Sequence, residues 1–155
     1  MNYSTHDRQQ ANEYSLRNAI ATDEQAVRAL MHLGGMGLAA DWQNATVAVD
    51  SNGTLIGYIR IQETSKGPHV APVAVMPAWQ GHGVGRALMQ AELEQHHALK
   101  LVSRGDAAGF YRALGGTEIS FDEISGDLEE DCEHCADRAA CQPVAFILTL
   151  EATHG

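Results

Sequence analysis

The sequence predicts an α/β or α+β fold, a mixed and mostly antiparallel sheet of six to seven strands with helices on its faces. Three observations carry this. Asn52-Gly53 sits between two strand-like runs and marks a tight antiparallel hairpin. The apolar strand over residues 67–75 leads through a glycine-rich turn directly into an amphipathic helix. The last two strand-like runs, 117–124 and 144–151, follow one another and read as an antiparallel pair. At 155 residues the chain is long enough for one domain with a real core. We assign residues 1–13, polar throughout, to a flexible tail and 14–155 to a single domain that includes a cysteine-containing loop at 125–143.

Residues 14–20 read as a first strand, and Thr22 then acts as N-cap, with acidic Asp23 and Glu24 in the first helical turn. Ala26, Leu30 and Leu33 recur at helical spacing, and Gly34 and Gly35 stop the helix. The stretch from there to Asp41 is ambiguous and accommodates a short second helix. Strands at 46–50 and 54–61 flank the hairpin turn. In the strand at 67–75, Pro72 cannot donate a ladder hydrogen bond, which suggests a bulge or local splay. A helix from Gly85 to about His97 buries Val84, Leu88 and Leu93. A short strand at 99–103 and a helix at 106–114 follow, the helix closed by Gly115 and Gly116.

A formal charge of −10, with Lys66 and Lys100 as the only lysines, argues against nucleic acid as a partner. No early apolar run is long enough for a signal peptide or a membrane span, so the expectation is a cytoplasmic protein without a membrane partner. An odd number of cysteines clustered near the C-terminus argues against a disulfide framework.

The turn after the central strand carries the chemistry. Gly81, Gly83 and Gly85 have no Cβ, so the backbone can take positive φ and approach a ligand closely. The helix that opens there adds unpaired amides and the positive end of its dipole, a combination that favours a phosphate or pyrophosphate. A nucleotide-triphosphate loop would end in Gly-Lys-Ser/Thr, whereas this turn ends in Gly85-Arg86. The dinucleotide fingerprint fails as well, because Leu88 does not supply its third glycine. A tight turn with no ligand is the competing reading.

Gln80, Gly83 and Gly85, preceded by Val73-Ala-Val and Pro77, resemble the acyl-CoA pyrophosphate loop of the GNAT superfamily of N-acyltransferases. Ala107, Phe110, Tyr111, Leu114 and Gly115 are similarly spaced to the superfamily helix whose tyrosine sits beside the thioester sulfur. The resemblance implies the GNAT fold, with helices on both faces of the sheet and a splayed central strand that admits the pantetheine arm. It implies acetyl-CoA as cosubstrate and a small primary amine as acceptor, and it makes a homodimer an expectation. Its cofactor-binding positions fall on Val73, Ala74, Val75, Gln80, Gly81, His82, Gly83, Val84, Gly85, Arg86 and Phe110. His82 stands where many members have lysine or arginine, so charge there would depend on pH. Arg104 replaces a common asparagine, and Gly116 replaces the phenylalanine usual after Leu-Gly.

Transfer of an acyl group to an amine needs a neutral amine, a polarised carbonyl and a protonated leaving thiolate. Tyr111, with a phenol whose ordinary pKa is about 10, can hold a proton at neutral pH and deliver it to sulfur. Its alternative is a helix tyrosine packed on the core. For the base we select His69, which falls where many members carry glutamate and whose ordinary pKa of about 6.5 suits proton acceptance near neutrality. A purely structural histidine is the alternative, and His32, Glu63 and His134 are further titratable candidates. A backbone N–H between Val73 and Val75 would polarise the carbonyl.

Cys132, Cys135 and Cys141 have the density of a metal site but supply only three thiolates, so zinc would need a fourth ligand from elsewhere. Unligated thiols or a reversible Cys132–Cys135 disulfide compete with metal. The spacing resembles the C-terminal segment of short N-acetylglutamate synthases and hints at an amino-acid acceptor. Those relatives carry a basic residue shortly before the first cysteine, whereas this chain has Asp127 in an acidic run, a better host for a cationic amine unless the run merely faces solvent. The runner-up function is a non-catalytic acyl-CoA, metal or redox-sensing binding protein on the same scaffold.

Overall fold

The strand and helix signals resolve into a mixed α+β architecture in a computed structural model, which describes residues 13–126 and 142–150. The strands are β1 (Tyr14–Asn18), β2 (Ala45–Asp50), β3 (Leu55–Thr64), β4 (Gly67–Val75), β5 (Ala98–Ser103), β6 (Thr117–Glu118) and β7 (Val144–Thr149). They form one seven-stranded sheet of order β1-β2-β3-β4-β5-β7-β6. Among the described residues the α-helices are α1 (Glu24–Leu33), α2 (Val84–His96) and α3 (Ala108–Ala113). The chain divides into two compact units, one from the chain up to residue 60 plus 72–89, the other from 61–71 plus the chain from residue 90 onward. Neither unit is a continuous stretch of sequence.

In the first unit β1 runs antiparallel to β2, with Tyr14 opposite Asp50, and β2 runs antiparallel to β3 with an irregularity between Ala48 and Val49. The hairpin turn closes as its dipeptide predicts. Gly53 takes a φ of 81°, and the Asp50 carboxylate accepts from the amides of Asn52 and Thr54, each at 2.9 Å. The start of α1 is tied differently from the expectation. A 3-10 turn, Ala21–Asp23, precedes it, and Asp23 rather than Thr22 makes the capping contact, accepting from the Ile20 amide at 2.9 Å. Arg17 grips the same carboxylate through two nitrogens at 2.8 and 2.9 Å, and that bond holds its pKa below the ordinary value.

The buried face of α1 is Val27, Leu30 and Met31, which join Val47, Val49 and Tyr58 in the core of this unit. Ala26 and Leu33, expected on that face, are exposed, Leu33 by 61%. The helix begins later than Thr22 and its stripe is rotated by one residue. After Gly35 no second helix forms; the chain makes only a turn over residues 40–43. Trp42, within that turn, lies in the core, its carbonyl accepting from the Tyr58 hydroxyl at 2.7 Å.

The expected apolar residues of α2 are buried, with Val84 at 1% exposure and Leu88 and Leu93 at 0%. The N-terminal end of this helix lies directly on Gly57 of β3. A Cβ at Gly57 would stand 2.9 Å from Val84 Cγ1 and 3.1 Å from Leu88 Cδ1, so any larger residue there would force those side chains to shift.

In the second unit β4 and β5 are parallel, with His69 opposite Lys100, while β5 and β7 are antiparallel from Ala98 opposite Thr149 to Ser103 opposite Val144. The antiparallel pairing of the last two strands is found, with Thr117 opposite Ile147, but the first of them is far shorter than expected. Only Thr117 and Glu118 are in strand, and a 3-10 turn follows at Phe121–Glu123, where the Ser120 hydroxyl accepts from the Asp122 amide at 3.2 Å. Serine and acidic residues offer the backbone a local turn that competes with the ladder. Cys132, Cys135 and Cys141 lie outside the described residues. Among the described residues no helix is long and apolar enough to cross a membrane.

The close approach at Gly57 makes a direct prediction. Gly57→Val should lower stability by about 1–3 kcal/mol through overpacking against Val84 and Leu88. Denaturant unfolding will read this as a lower midpoint at unchanged slope, and an unchanged midpoint would refute the packing.

Candidate functional site

The first unit contributes a strand-to-helix turn. The chain leaves β4 at Val75, makes a 3-10 turn at Pro77–Trp79 and passes through Gln80, Gly81, His82 and Gly83 into α2. Gly81 and Gly83 have φ of 83° and 85°, a region that strains L side chains. No atom crowds a Cβ at Gly81 within 4 Å, so its need for glycine is conformational. Gly85 is helical and lacks this requirement.

The amides of Gln80 and His82 are used within the turn, donating to the carbonyls of Pro77 and Trp79 at 3.3 Å. Those of Gly81, Gly83, Val84, Gly85 and Arg86 meet no acceptor among the described residues. The last three belong to the first turn of a thirteen-residue helix, where no earlier helical carbonyl exists for them. The turn is solvent-exposed at Gly81, Gly83 and Arg86, half-buried at Gly85 and buried at Val84, so the amides of Gly81, Gly83 and Arg86 are the ones open to an anion. Arg86 is exposed and meets no carboxylate among the described residues, leaving its guanidinium free to approach a phosphate. Gln80 instead folds back, donating from Nε2 to the Val75 carbonyl at 3.4 Å. Val73, Ala74 and Val75 are half-buried on the strand that feeds the turn.

The second unit contributes Tyr111. It lies on α3 after a 3-10 turn, Gly105–Ala107, and packs its ring 5.9 Å from that of Phe146 on β7. The tyrosine is 9% exposed, and burial pushes its phenol up to about 12, so it holds its proton throughout the neutral range. Its hydroxyl has no hydrogen-bond partner among the described residues, yet it is not one of the sealed, unsatisfied polar atoms. The donor is therefore protonated throughout the neutral range. Phe110, 42% exposed, meets Tyr111 edge-on at 5.0 Å. Gly116 accounts for its own departure from the superfamily pattern. A Cβ there would come within 2.8 Å of the Tyr111 carbonyl, which accepts from the Gly116 amide at 2.9 Å, so phenylalanine would not fit this end of α3. Arg104 is exposed, and among the described residues its guanidinium reaches Asp106, at 3.6 Å.

His69 does not have the geometry expected of a general base. Its side chain is fully buried, and both ring nitrogens are engaged. Nδ1 lies 2.8 Å from the Gly67 carbonyl, which fixes the proton there, and Nε2 accepts from the Ser125 amide at 3.1 Å. No lone pair is left for an ammonium proton. Burial, aided by the Lys100 and Lys66 ammonium groups and opposed by the Gly67 carbonyl, holds the imidazole below its ordinary pKa. The structural alternative weighed for a strand histidine is the one this arrangement supports.

His69 is part of a larger clamp that local sequence signals did not reveal. Lys66 Nζ donates to the carbonyls of Asp122 and Ile124, at 2.5 and 3.2 Å, and Lys100 Nζ donates to that of Glu123 at 3.0 Å. Both lysines of the chain thus hold the end of the 3-10 turn, whose carbonyls favour cations. These partners lie 23 to 58 residues apart, beyond the reach of any spacing rule. Among the described residues no group of three or more His, Cys, Asp and Glu could hold a metal ion.

Residues 41–115 match the family described as acetyltransferase (GNAT) domain. An uncharacterized N-acetyltransferase of Chlorobaculum tepidum is 28% identical over 105 residues, covering 65% of this chain and 68% of its own. Among solved structures, N-acetylglutamate synthase from Neisseria gonorrhoeae, complexed with coenzyme A and N-acetyl-glutamate, superimposes with a TM-score of 0.72 at 17% identity. That match covers 89% of this chain but 35% of the synthase, so the chain spans about a third of the larger protein. The ribosomal-protein-S18-alanine N-acetyltransferase from Escherichia coli has a TM-score of 0.61 at 18% identity, covering 87% of this chain and 91% of its own.

The environment of His69 fixes how it responds to acid. Because its folded-state pKa is depressed, the stability it contributes is present above the ordinary histidine value and is lost as pH falls through the folded value. His69→Gln should be less stable than wild type near pH 7.5 by about 1–3 kcal/mol, through the disrupted Gly67 and Ser125 bonds. The difference should shrink as pH falls from 6.5 toward 5, measured as thermal midpoints. A pH-independent difference would contradict the assignment.

Proposed function

We propose that this chain, whose residues 41–115 match the acetyltransferase (GNAT) domain, carries acetyl groups from acetyl-CoA to the primary amine of a small molecule, such as an amino acid, by direct attack in a ternary complex. The observation that carries this reading is the set of unpaired amides at Gly81, Gly83, Gly85 and Arg86, in a turn that is largely solvent-exposed. Such a set, at the positive end of a long helix, suits the diphosphate of coenzyme A. The net charge of −10 favours acceptors that are cationic as free amines.

In this proposal the main chain of β4 between Val73 and Val75 polarises the thioester carbonyl, since fixed amide dipoles need no reorganisation as charge develops. The amine nitrogen attacks the carbonyl carbon, and the tetrahedral intermediate collapses by breaking the carbon–sulfur bond. Tyr111 gives its hydroxyl proton to the departing thiolate and regains one from solvent. Its raised pKa keeps the donor loaded before each turnover. With both nitrogens of His69 engaged, the ammonium proton passes to water rather than to that imidazole. A reducing cytoplasm, where clustered thiols persist unbridged, is the setting this reading implies.

The test is release of free thiol from acetyl-CoA in the presence of pooled amino acids, polyamines and aminoglycosides. Tyr111→Phe should lower kcat by about 100-fold while leaving the Kd for CoA within twofold. A wild-type protein that binds CoA but turns over no amine would replace this reading with that of a non-catalytic acyl-CoA binding protein.

A further inference from the structure

The turn that presents the free amides is held by a residue far away in the sequence. Tyr14, in the first strand, donates from its hydroxyl to the Gly83 carbonyl at 3.2 Å, across 69 residues. The same carbonyl accepts from the Ala87 amide at 3.0 Å, so both of its lone pairs are occupied. In a trans peptide the carbonyl and the next N–H point in opposite directions. Fixing the Gly83 oxygen therefore fixes the Val84 amide, which meets no acceptor among the described residues. Gly83 most needs such a restraint, because with a φ of 85° and no side chain its peptide plane is otherwise soft.

Ring packing supports the same point. Tyr14 meets Trp79 edge-on with centroids 6.1 Å apart, and Trp79 meets His82 at 5.6 Å. The three rings form a row from β1 through the 3-10 turn to the glycine turn itself. β1 anchors the row, since Tyr14 is registered opposite Asp50 in the β1–β2 ladder. A Cβ at Gly83 would lie 3.9 Å from the Tyr14 hydroxyl, so the hydroxyl stands directly against the turn.

We propose that Tyr14 is a positioning residue for the anion subsite, its hydroxyl holding the Gly83–Val84 peptide so that the unpaired amides on either side of it, at Gly83 and Gly85, are set for a bound diphosphate before the ligand arrives. This rests on the coenzyme reading above and adds a second element to it. Preorganisation of this kind improves affinity by removing an ordering cost at binding. It leaves the chemical step alone.

The test uses the full chain with Tyr14→Phe, which keeps the ring and removes the hydroxyl. One neutral hydrogen bond corresponds to about a fivefold change in an equilibrium constant. The Kd for CoA by calorimetry, and the Ki of inorganic pyrophosphate against acetyl-CoA, should both rise by about that factor. At saturating acetyl-CoA, kcat and the KM for the amine should be unchanged. Tyr14→Leu, which also removes the ring from Trp79, should weaken CoA further. Equal CoA affinity in wild type and Tyr14→Phe would overturn the positioning role and leave the coenzyme reading standing. A parallel loss in kcat and amine KM would overturn it too, because that pattern marks general disruption. Wild-type protein that binds neither CoA nor pyrophosphate would overturn both.

Discussion

A strand must become a helix between Val75 and Val84, and the backbone solution to that constraint governs the rest of the site. Gly81 and Gly83 supply the positive φ that the reversal needs. Gly57 supplies the space that lets Val84 and Leu88 settle on β3. With the helix seated there, its first-turn amides have no carbonyl to bond, and the turn that leads into them is exposed at Gly81 and Gly83. In an ordinary helix such donors are capped by a side chain. Here no described side chain caps them, and the Tyr14 hydroxyl instead holds a carbonyl of the turn from behind. The anion site proposed for this turn thus follows from how the helix is packed and needs few charged side chains.

Burial acts on the two titratable groups of the other unit in the same direction, toward the neutral form, with different consequences. For Tyr111 the neutral form is a proton donor, and its hydroxyl remains uncommitted among the described residues. For His69 the neutral form is a joint between the Gly67 carbonyl and the Ser125 amide, with donor and acceptor both consumed. Desolvation alone does not make a catalytic group. The deciding factor is whether a lone pair or proton remains free to face a substrate.

Features encoded within a few residues were legible in the sequence. The Asn52-Gly53 hairpin, the strand at 67–75, the glycine turn and the apolar positions Val84, Leu88 and Leu93 were all found where turn chemistry and spacing put them. The first helix face was misplaced because the Ala21–Asp23 turn delays the helix and shifts burial from Ala26 and Leu33 to Val27 and Met31. The segment after Glu118 failed as a strand because Ser120 and the two lysines stabilise a turn there, and the lysine contacts span distant positions. His69 and Tyr14 share that difficulty. Their roles depend on partners 56 and 69 residues away, and no periodicity carries such information.

The central claim is that main-chain amides between Gly81 and Arg86 bind the diphosphate of coenzyme A. Titrating CoA into uniformly 15N-labelled protein and following its amide resonances measures this residue by residue. The account predicts that the Gly81, Gly83, Val84, Gly85 and Arg86 amides shift together and saturate with one Kd, and that inorganic pyrophosphate moves the same set. Saturable CoA binding that leaves those five resonances in place would contradict it.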